Sequence, residues 1–251
     1  MRVFVTASTN CFSHLPTGEA IEKLADLQFS SIEMVISKES NHLTPDVVLN
    51  DFEGAIAVIR TTRRLDVVGL SLEVDVERPD FIELFTKTCQ LAKATKVVTI
   101  TAPSGKHGTP FNEEVERCKE MVDIAEKHGV RVGIRSKTDH LSGDPDTVSV
   151  ICKHVEGLGL GVDPSHYIYE RETPANYDSL LKYVTNVYLR DSTQDKLQVR
   201  VGQGIIDYNK LINQLGKVSY QRALVVDIPV QDDVDHMGEM RKMRLLLESL
   251  L

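Results

Sequence analysis

The sequence contains no tryptophan and only 7 tyrosines and 7 phenylalanines, so its core has to be built from aliphatic side chains rather than aromatic clusters. Cysteine is sparse as well. Cys11, Cys89, Cys118 and Cys152 lie far apart without a CxxC pair, a spacing that fits neither a zinc knuckle nor a disulfide framework. The last three fall in expected helices and read as small buried apolar residues. Positive charge is in deficit: the formal net charge of −8 provides no broad basic field for a nucleic-acid backbone, which leaves a small solute as the expected partner. No apolar run approaches the roughly 20 residues that a membrane helix needs. The opening Met1-Arg2-Val3-Phe4-Val5 lacks a signal peptide's apolar stretch and cleavage site, so a cytoplasmic protein with no membrane partner is expected.

What is present is a rhythm. Short β-branched runs alternate with longer helical patterns along all 251 residues. The strand candidates are Val3–Thr6, Ser31–Ile36, Val67–Leu72, Lys96–Thr101, Arg131–Arg135, Gly159–Asp163, Asn186–Arg190 and Ala223–Ile228, rich in Val, Ile and Leu as strands covered on both faces should be. Thr44-Pro45, Asp144-Pro145 and Thr173-Pro174 each pair a capping residue with a proline suited to the first helical position, and Gly129 is placed to end the helix before it. No linker or low-complexity segment interrupts the alternation. The expectation is an α/β protein, a (β/α)8 TIM barrel spanning residues 1–251 as one domain. An open doubly wound sheet is the alternative, weakened because the first βα turn, Ala7-Ser8-Thr9-Asn10, has no glycine fingerprint for a dinucleotide.

In such a barrel the chemistry gathers at the C-terminal strand ends. That filter selects Asn10, Glu33, Glu73, the Ser104–Thr109 loop, Arg135, Asp163, His166, Tyr188, Arg190, Asp191 and Asp227, a polar set at positions where a core would be apolar. His107, beside Lys106 in the Ser104–Thr109 loop, could help hold an anion, although short Gly/Ser loops usually only turn the chain. Glu33 and Glu73 read as carboxylates ending early strands, available either as bases or as partners of rim cations. His128 and His154 fall in helices and receive no function.

Three blocks carry a family resemblance. Leu158-Gly159-Leu160-Gly161-Val162-Asp163-Pro164-Ser165-His166 resembles the sixth-strand block of the xylose isomerase-like sugar isomerase/epimerase superfamily, in which the Asp binds a divalent metal and the His faces substrate. Asn186-Val187-Tyr188-Leu189-Arg190-Asp191 resembles the seventh-strand block usually reading His-Leu-Lys-Asp, and Val201-Gly202-Gln203-Gly204 resembles the segment before the seventh helix. The N-terminal half matches in rhythm, through Ile32-Glu33-Met34. The resemblance implies a barrel that moves protons on sugars, their phosphates or related ketones, with carboxylates and a histidine around Mn, Mg, Co or Zn.

The departures from that pattern fall on the ligands. Arg135 stands where the fifth-strand glutamate is expected, Tyr188 replaces the seventh-strand histidine, and Asp227 stands for the eighth-strand glutamate. A permanent cation among the ligands disfavours a divalent ion, so no metal is expected at the family position, while a displaced site of His166 and Glu33 with Asp163 stays open. Two readings of Arg135 follow: a fork between Asp163 and Asp227, or a holder of substrate carboxylate or phosphate. The expected function is isomerase/epimerase-like action on a small polyhydroxylated carbonyl compound, with His166, Asp163 and Asp227 as catalytic residues. Arg135, Arg190, Tyr188, Glu33 and His107 are the expected substrate contacts, and a sugar, sugar phosphate or keto-acid is the expected ligand. The rival is a non-catalytic sugar- or carboxylate-binding barrel. An endonuclease-IV-like repair barrel ranks last, because its histidine-rich zinc cluster has no counterpart. The apolar Leu245–Leu251 end is suited to the outer ring, with any excess open to a second copy of the chain.

Overall fold

The structure, a computed structural model, describes residues 3–62 and 64–251. Eight parallel strands close into a barrel in sequence order: β1 (Phe4–Ser8), β2 (Ser31–Ser37), β3 (Asp66–Glu73), β4 (Thr99–Ala102), β5 (Arg131–Arg135), β6 (Gly159–Val162), β7 (Val184–Leu189) and β8 (Ala223–Val226). β1 and β8 complete the closure, with Phe4 opposite Ala223 and Ala7 opposite Val226. The expected (β/α)8 TIM barrel is therefore the fold. Every residue of β2 and β7 is buried, as strands between a packed lumen and a helical ring must be.

The ring consists of α1 (Thr17–Asp26), α2 (Pro45–Asn50), α3 (Phe52–Arg60), α4 (Phe81–Thr95), α5 (Phe111–Lys127), α6 (Pro145–His154), α7 (Tyr208–Lys217) and α8 (His236–Ser249). α5 buries Val115, Cys118, Met121, Val122 and Ala125, the three-and-four spacing of one helical stripe. Cys89, Cys118 and Cys152 are buried in α4, α5 and α6. In α8, Leu247 is buried whereas Leu245 faces outward.

Local signals decide most boundaries. The Thr44 and Asp144 side chains accept from the Val47 and Thr147 amides, and the prolines that follow open α2 and α6. Gly129, with φ at 69°, ends α5 and admits β5 at once. Two expectations change. β4 starts at Thr99 rather than Lys96, because Lys96 is the left-handed cap of α4 (φ 63°) and belongs to the helix end. Thr173-Pro174 starts no helix. The Ala175 amide donates to the Tyr167 carbonyl at 2.7 Å and Tyr177 stacks on Tyr167, so this connection is tied down locally and forms only a 3-10 turn, Asp178–Tyr183, before β7.

Strands β5 to β7 approach closely where β6 carries glycine. A Cβ on Gly159 would overlap the Thr185 side chain and stand 3.2 Å from the Val132 carbonyl oxygen. Gly159→Val should therefore destabilise the barrel by about 1–3 kcal/mol in denaturant unfolding, the usual cost of overpacking.

Candidate functional site

The C-terminal strand ends deliver charge to one point. Glu73 and Arg135 are the last residues of β3 and β5, while Asp163, Arg190 and Asp227 are the first residues beyond β6, β7 and β8. Asp163 and Asp227 have no exposed surface. Arg190 Nη2 donates to Asp163 Oδ2 at 3.0 Å and to Asp227 Oδ2 at 2.9 Å. Arg135 Nη2 donates to the same Asp227 oxygen, its Nη1 donates to Glu73 Oε1 at 2.7 Å, and its guanidinium lies over the Tyr188 ring, 3.8 Å from the centroid. Asn10 closes the group through Nδ2 to Asp227 Oδ1 at 3.2 Å.

Burial alone would raise both aspartate carboxyls. Arg190, His166 and Arg135 hold Asp163 below the usual carboxylate range, and Arg135 and Arg190 hold Asp227 far below it. Burial also works against the Arg135 charge, but Asp227 and Glu73 outweigh it and keep the guanidinium protonated.

His166 faces the same space. The Thr138 backbone N–H donates to its Nδ1 at 3.1 Å, so that nitrogen is an acceptor and the neutral ring carries its hydrogen on Nε2, 3.7 Å from Asp163 Oδ2. Burial pushes its pKa down to about 4 against the attraction of Asp163, so the ring is neutral at neutral pH. Asp163 Oδ1 is meanwhile held by the Ser165 amide and hydroxyl at 3.1 and 2.5 Å.

A cavity of about 250 Å³ opens above this network, lined among others by Asn10, Glu73, Arg135, His166, Arg190 and Asp227. Ser37, Glu39, Glu73 and Lys137 continue from it into an outer cavity of about 470 Å³ with Lys38, Arg78, Lys106 and His140 on its wall. Arg78 is paired to Asp80, and Lys106 to Asp75 at 2.6 Å.

Three residues expected at the mouth lie elsewhere. β2 runs on to Ser37, which leaves Glu33 in mid-strand, fully buried in the lumen. Tyr188 lies below Arg135 with its hydroxyl 3.0 Å from Glu33 Oε2, beneath the cavity rather than on its wall. His107 is exposed and lines neither cavity; its amide serves the loop through the Asp139 carbonyl. Asp191 is consumed as a clasp: the Gly202 and Gly204 amides donate to its Oδ2 at 2.8 and 3.0 Å, which explains the Gly-x-Gly segment structurally. Ser37, Lys38 and Glu39 were missed. Extending the apolar run Met34-Val35-Ile36 to its first polar residues would have found them.

A family model described as xylose isomerase-like TIM barrel matches residues 21–249. The chain belongs to this family. Among solved structures it is similar to a D-allulose 3-epimerase from Methylomonas sp., with 14% identity, a TM-score of 0.76, and coverage of 100% of this chain and 98% of that one. It is similar also to an L-ribulose 3-epimerase, with 14% identity, a TM-score of 0.74, and coverage of 100% and 96%. A third is a xylose isomerase-like TIM barrel protein from Mycobacterium smegmatis in complex with magnesium, with 15% identity, a TM-score of 0.76, and coverage of 98% and 97%. At these identities the likeness is one of fold. No curated protein sequence matches the chain. Among the described residues no helix is long and apolar enough to cross a membrane.

Glu33 makes the site sensitive to pH. Burial raises its carboxyl from 4.5 to about 8, with Arg135 and Tyr188 pulling the other way. The folded chain then keeps a proton that the unfolded chain releases near 4.5, so stability present below that pH is lost as pH rises to about 8. Relative to Glu33→Gln, the wild type should lose on the order of 1.4 kcal/mol per pH unit in this window, measured by denaturant unfolding at several pH values. His166 acts in the opposite sense: with its pKa lowered from 6.5 to about 4, it removes stability as pH falls between those values.

Proposed function

We propose that the chain is a sugar isomerase/epimerase-like barrel that acts on a small polyhydroxylated carbonyl compound, with arginine in place of the divalent ion. The observation that carries this reading is the seat between Asp163 and Asp227. Arg190 Nη2 bridges their Oδ2 atoms and Arg135 shares the Asp227 oxygen, while the cavity above is walled by His166 and Glu73. The donor set does not fit a divalent ion. Two guanidiniums occupy the carboxylate oxygens, and among the described residues no three His, Cys, Asp or Glu side chains gather to hold a metal. At about 4 Å and an effective dielectric near 20, one guanidinium repels each unit of ion charge by about 4 kcal/mol. With two guanidiniums present, the seat selects against a cation.

The remaining groups suit proton transfer next to a carbonyl. Glu73 is the wall carboxylate able to take the proton from the carbon, the electron pair moves onto the carbonyl oxygen, and the His166 Nε2–H donates to that oxygen. A neutral imidazole is the right partner for a developing oxyanion because it polarises without protonating outright. Delivery of a proton to the opposite face of that carbon, as the electron pair returns from the oxygen, completes an epimerisation; delivery to the former carbonyl carbon, as the neighbouring hydroxyl's proton passes to the oxyanion, completes an isomerisation. The wall carboxylates Glu39, Glu73 and Asp227, with Asp163 behind them, against Arg135, Arg190 and Lys137 leave the inner cavity one negative charge in excess, so a phosphate or carboxylate end belongs toward the outer cavity. There Lys38 and Lys137 are exposed.

The engagement of both Oδ2 atoms by arginine, with the Oδ1 atoms held by Ser165 and Asn10, also suits a barrel that binds such a compound without turning it over. Deuterium separates the two. Incubation with ketoses, their phosphates and keto-acids in heavy water should place deuterium on the carbon beside the carbonyl. Ligand-induced thermal stabilisation without any exchange would instead favour the binder. The metal-free reading has its own check. Arg135→Glu should raise affinity for Mn by about tenfold or more in calorimetry, since it removes one repulsive charge and adds a ligand. Tight Mn binding by the wild type would overturn it.

A further inference from the structure

Below the cavity the barrel lumen is polar and continuous. Glu33 Oε2 lies 3.0 Å from the Tyr188 hydroxyl, which lies 2.5 Å from Thr101 Oγ1. Thr101 Oγ1 lies 3.2 Å from Ser71 Oγ, and Ser71 Oγ donates to Glu73 Oε1 at 3.1 Å. The four inner members, from β2, β7, β4 and β3, are buried, with at most 1% exposure, whereas the Glu73 side chain is 28% exposed and faces the cavity. Glycines make the room: a Cβ on Gly69 would stand 3.0 Å from Glu33 Oε2, and one on Gly161 would stand 2.9 Å from the Tyr188 ring.

Each hydroxyl has a single hydrogen, so the chain can be ordered in only a few ways. With the proton on Glu33, that carboxyl donates to Tyr188, Tyr188 to Thr101, Thr101 to Ser71, and Ser71 to the ionised Glu73. Every hydroxyl donates once, all toward the cavity. With the proton on Glu73 the order reverses, and Glu33 then accepts from Tyr188 and from Asn186 Nδ2, 2.9 Å away. Both ends are supported.

We propose that Glu33 is a proton store for the cavity, exchanging one proton with Glu73 through the hydroxyls of Tyr188, Thr101 and Ser71. In the transfer each oxygen passes on its own hydrogen as it receives the next, so one proton leaves Glu33, one arrives at Glu73, and no electrons change hands. The store rests on the proton-transfer reading of the site and narrows the substrate to a compound that gives up and regains a proton on a carbon beside a carbonyl. Because Glu33 starts protonated, the store works outward first: a Glu73 that has given up its proton is recharged from Glu33, and the vacated Glu33 is refilled through the same hydroxyls when Glu73 next takes a proton from carbon. The charged groups acting on Glu33 are Arg135, Glu73 and Asp227, with Tyr188 as hydrogen-bond partner, and burial keeps the carboxyl neutral at neutral pH. Tyr188 is itself held un-ionised by burial and by Glu33, so it relays a proton without keeping a charge.

The test needs no substrate. Infrared spectra of the full chain at neutral pH should show a buried neutral-carboxyl band that Glu33→Gln removes. On rapid mixing into heavy water that band should shift quickly in the wild type. It should shift about a hundredfold more slowly in Thr101→Val and in Ser71→Ala, the lower end of what a positioned proton carrier contributes. Thr88→Val, the same change at a buried hydroxyl in α4, is the control expected to match the wild type. A wild-type rate in both wire variants, or no Glu33-dependent band, overturns the proposal. If the wire behaves as expected but no carbonyl compound exchanges deuterium, the store stands and the epimerase-like reading fails.

Discussion

Asp163 and Asp227 have no solvent-exposed surface, and two carboxylates side by side in that position are tolerable only when cations neutralise them. Arg190 does this by bridging both, and Arg135 does it from the neighbouring wall while also binding Glu73 and covering Tyr188. The rest of the mouth hangs on this pairing. It fixes where β5, β6, β7 and β8 end relative to one another, it roofs the lumen with a guanidinium plane, and it leaves His166 as the uncharged donor facing the cavity. Removing one arginine would leave buried carboxylate charge uncompensated, a cost on the order of several kcal/mol, well above what an exposed ion pair contributes.

The roof explains why the lumen can be polar. A buried carboxyl such as Glu33 is costly if charged, and its Oε1 has no hydrogen-bond partner. It is accommodated by staying protonated and by placing Oε2 against Tyr188 and Asn186. Arg135 above Tyr188 limits the penalty of the ionised form without pairing with it directly. The same arrangement needs small residues on the facing strands, and Gly69 and Gly161 provide the space. Sequence, packing and ionisation are thus linked through two glycines and one guanidinium.

The closed barrel was legible because alternation and register are repeated signals: each strand is a short aliphatic run and each helix has its own stripe and caps. The gathering of Arg135, Asp163, Arg190 and Asp227 was legible for a related reason, since each closes or directly follows a strand. What failed depended on length or on distant partners. Glu33 looks like a strand end because a charged residue interrupts an apolar run, yet β2 continues for four residues past it, to Ser37. Thr173-Pro174 has the chemistry of a helix start, but the Tyr167–Tyr177 stack and the nearness of β7 leave only a 3-10 turn. His107 had only loop composition in its favour, and an exposed loop places such a side chain outside the cavity. The path from Glu33 to Glu73 crosses four strands at hydroxyl positions that no local pattern marks.

Charge also divides the two cavities. With His166 and Glu33 neutral, the inner cavity carries the excess negative charge of Glu39, Glu73, Asp227 and the underlying Asp163 over Arg135, Arg190 and Lys137, and no guanidinium there is free to meet an anion. A hydroxyl-rich end of a ligand, which needs donors and acceptors but no net charge, suits that surface. The outer cavity differs in kind. Arg78 and Lys106 are held by aspartates, but Lys38 and Lys137 stand on the loops after β2 and β5 with Glu39 and its partner Ser37 between the two spaces. Exposed lysines contribute modestly to affinity and more to orientation, since the field favours an anionic end pointing outward. A compound with a carbonyl near a polyol end and a negative group at the other would therefore enter in one direction, carbonyl first, toward His166 and Glu73.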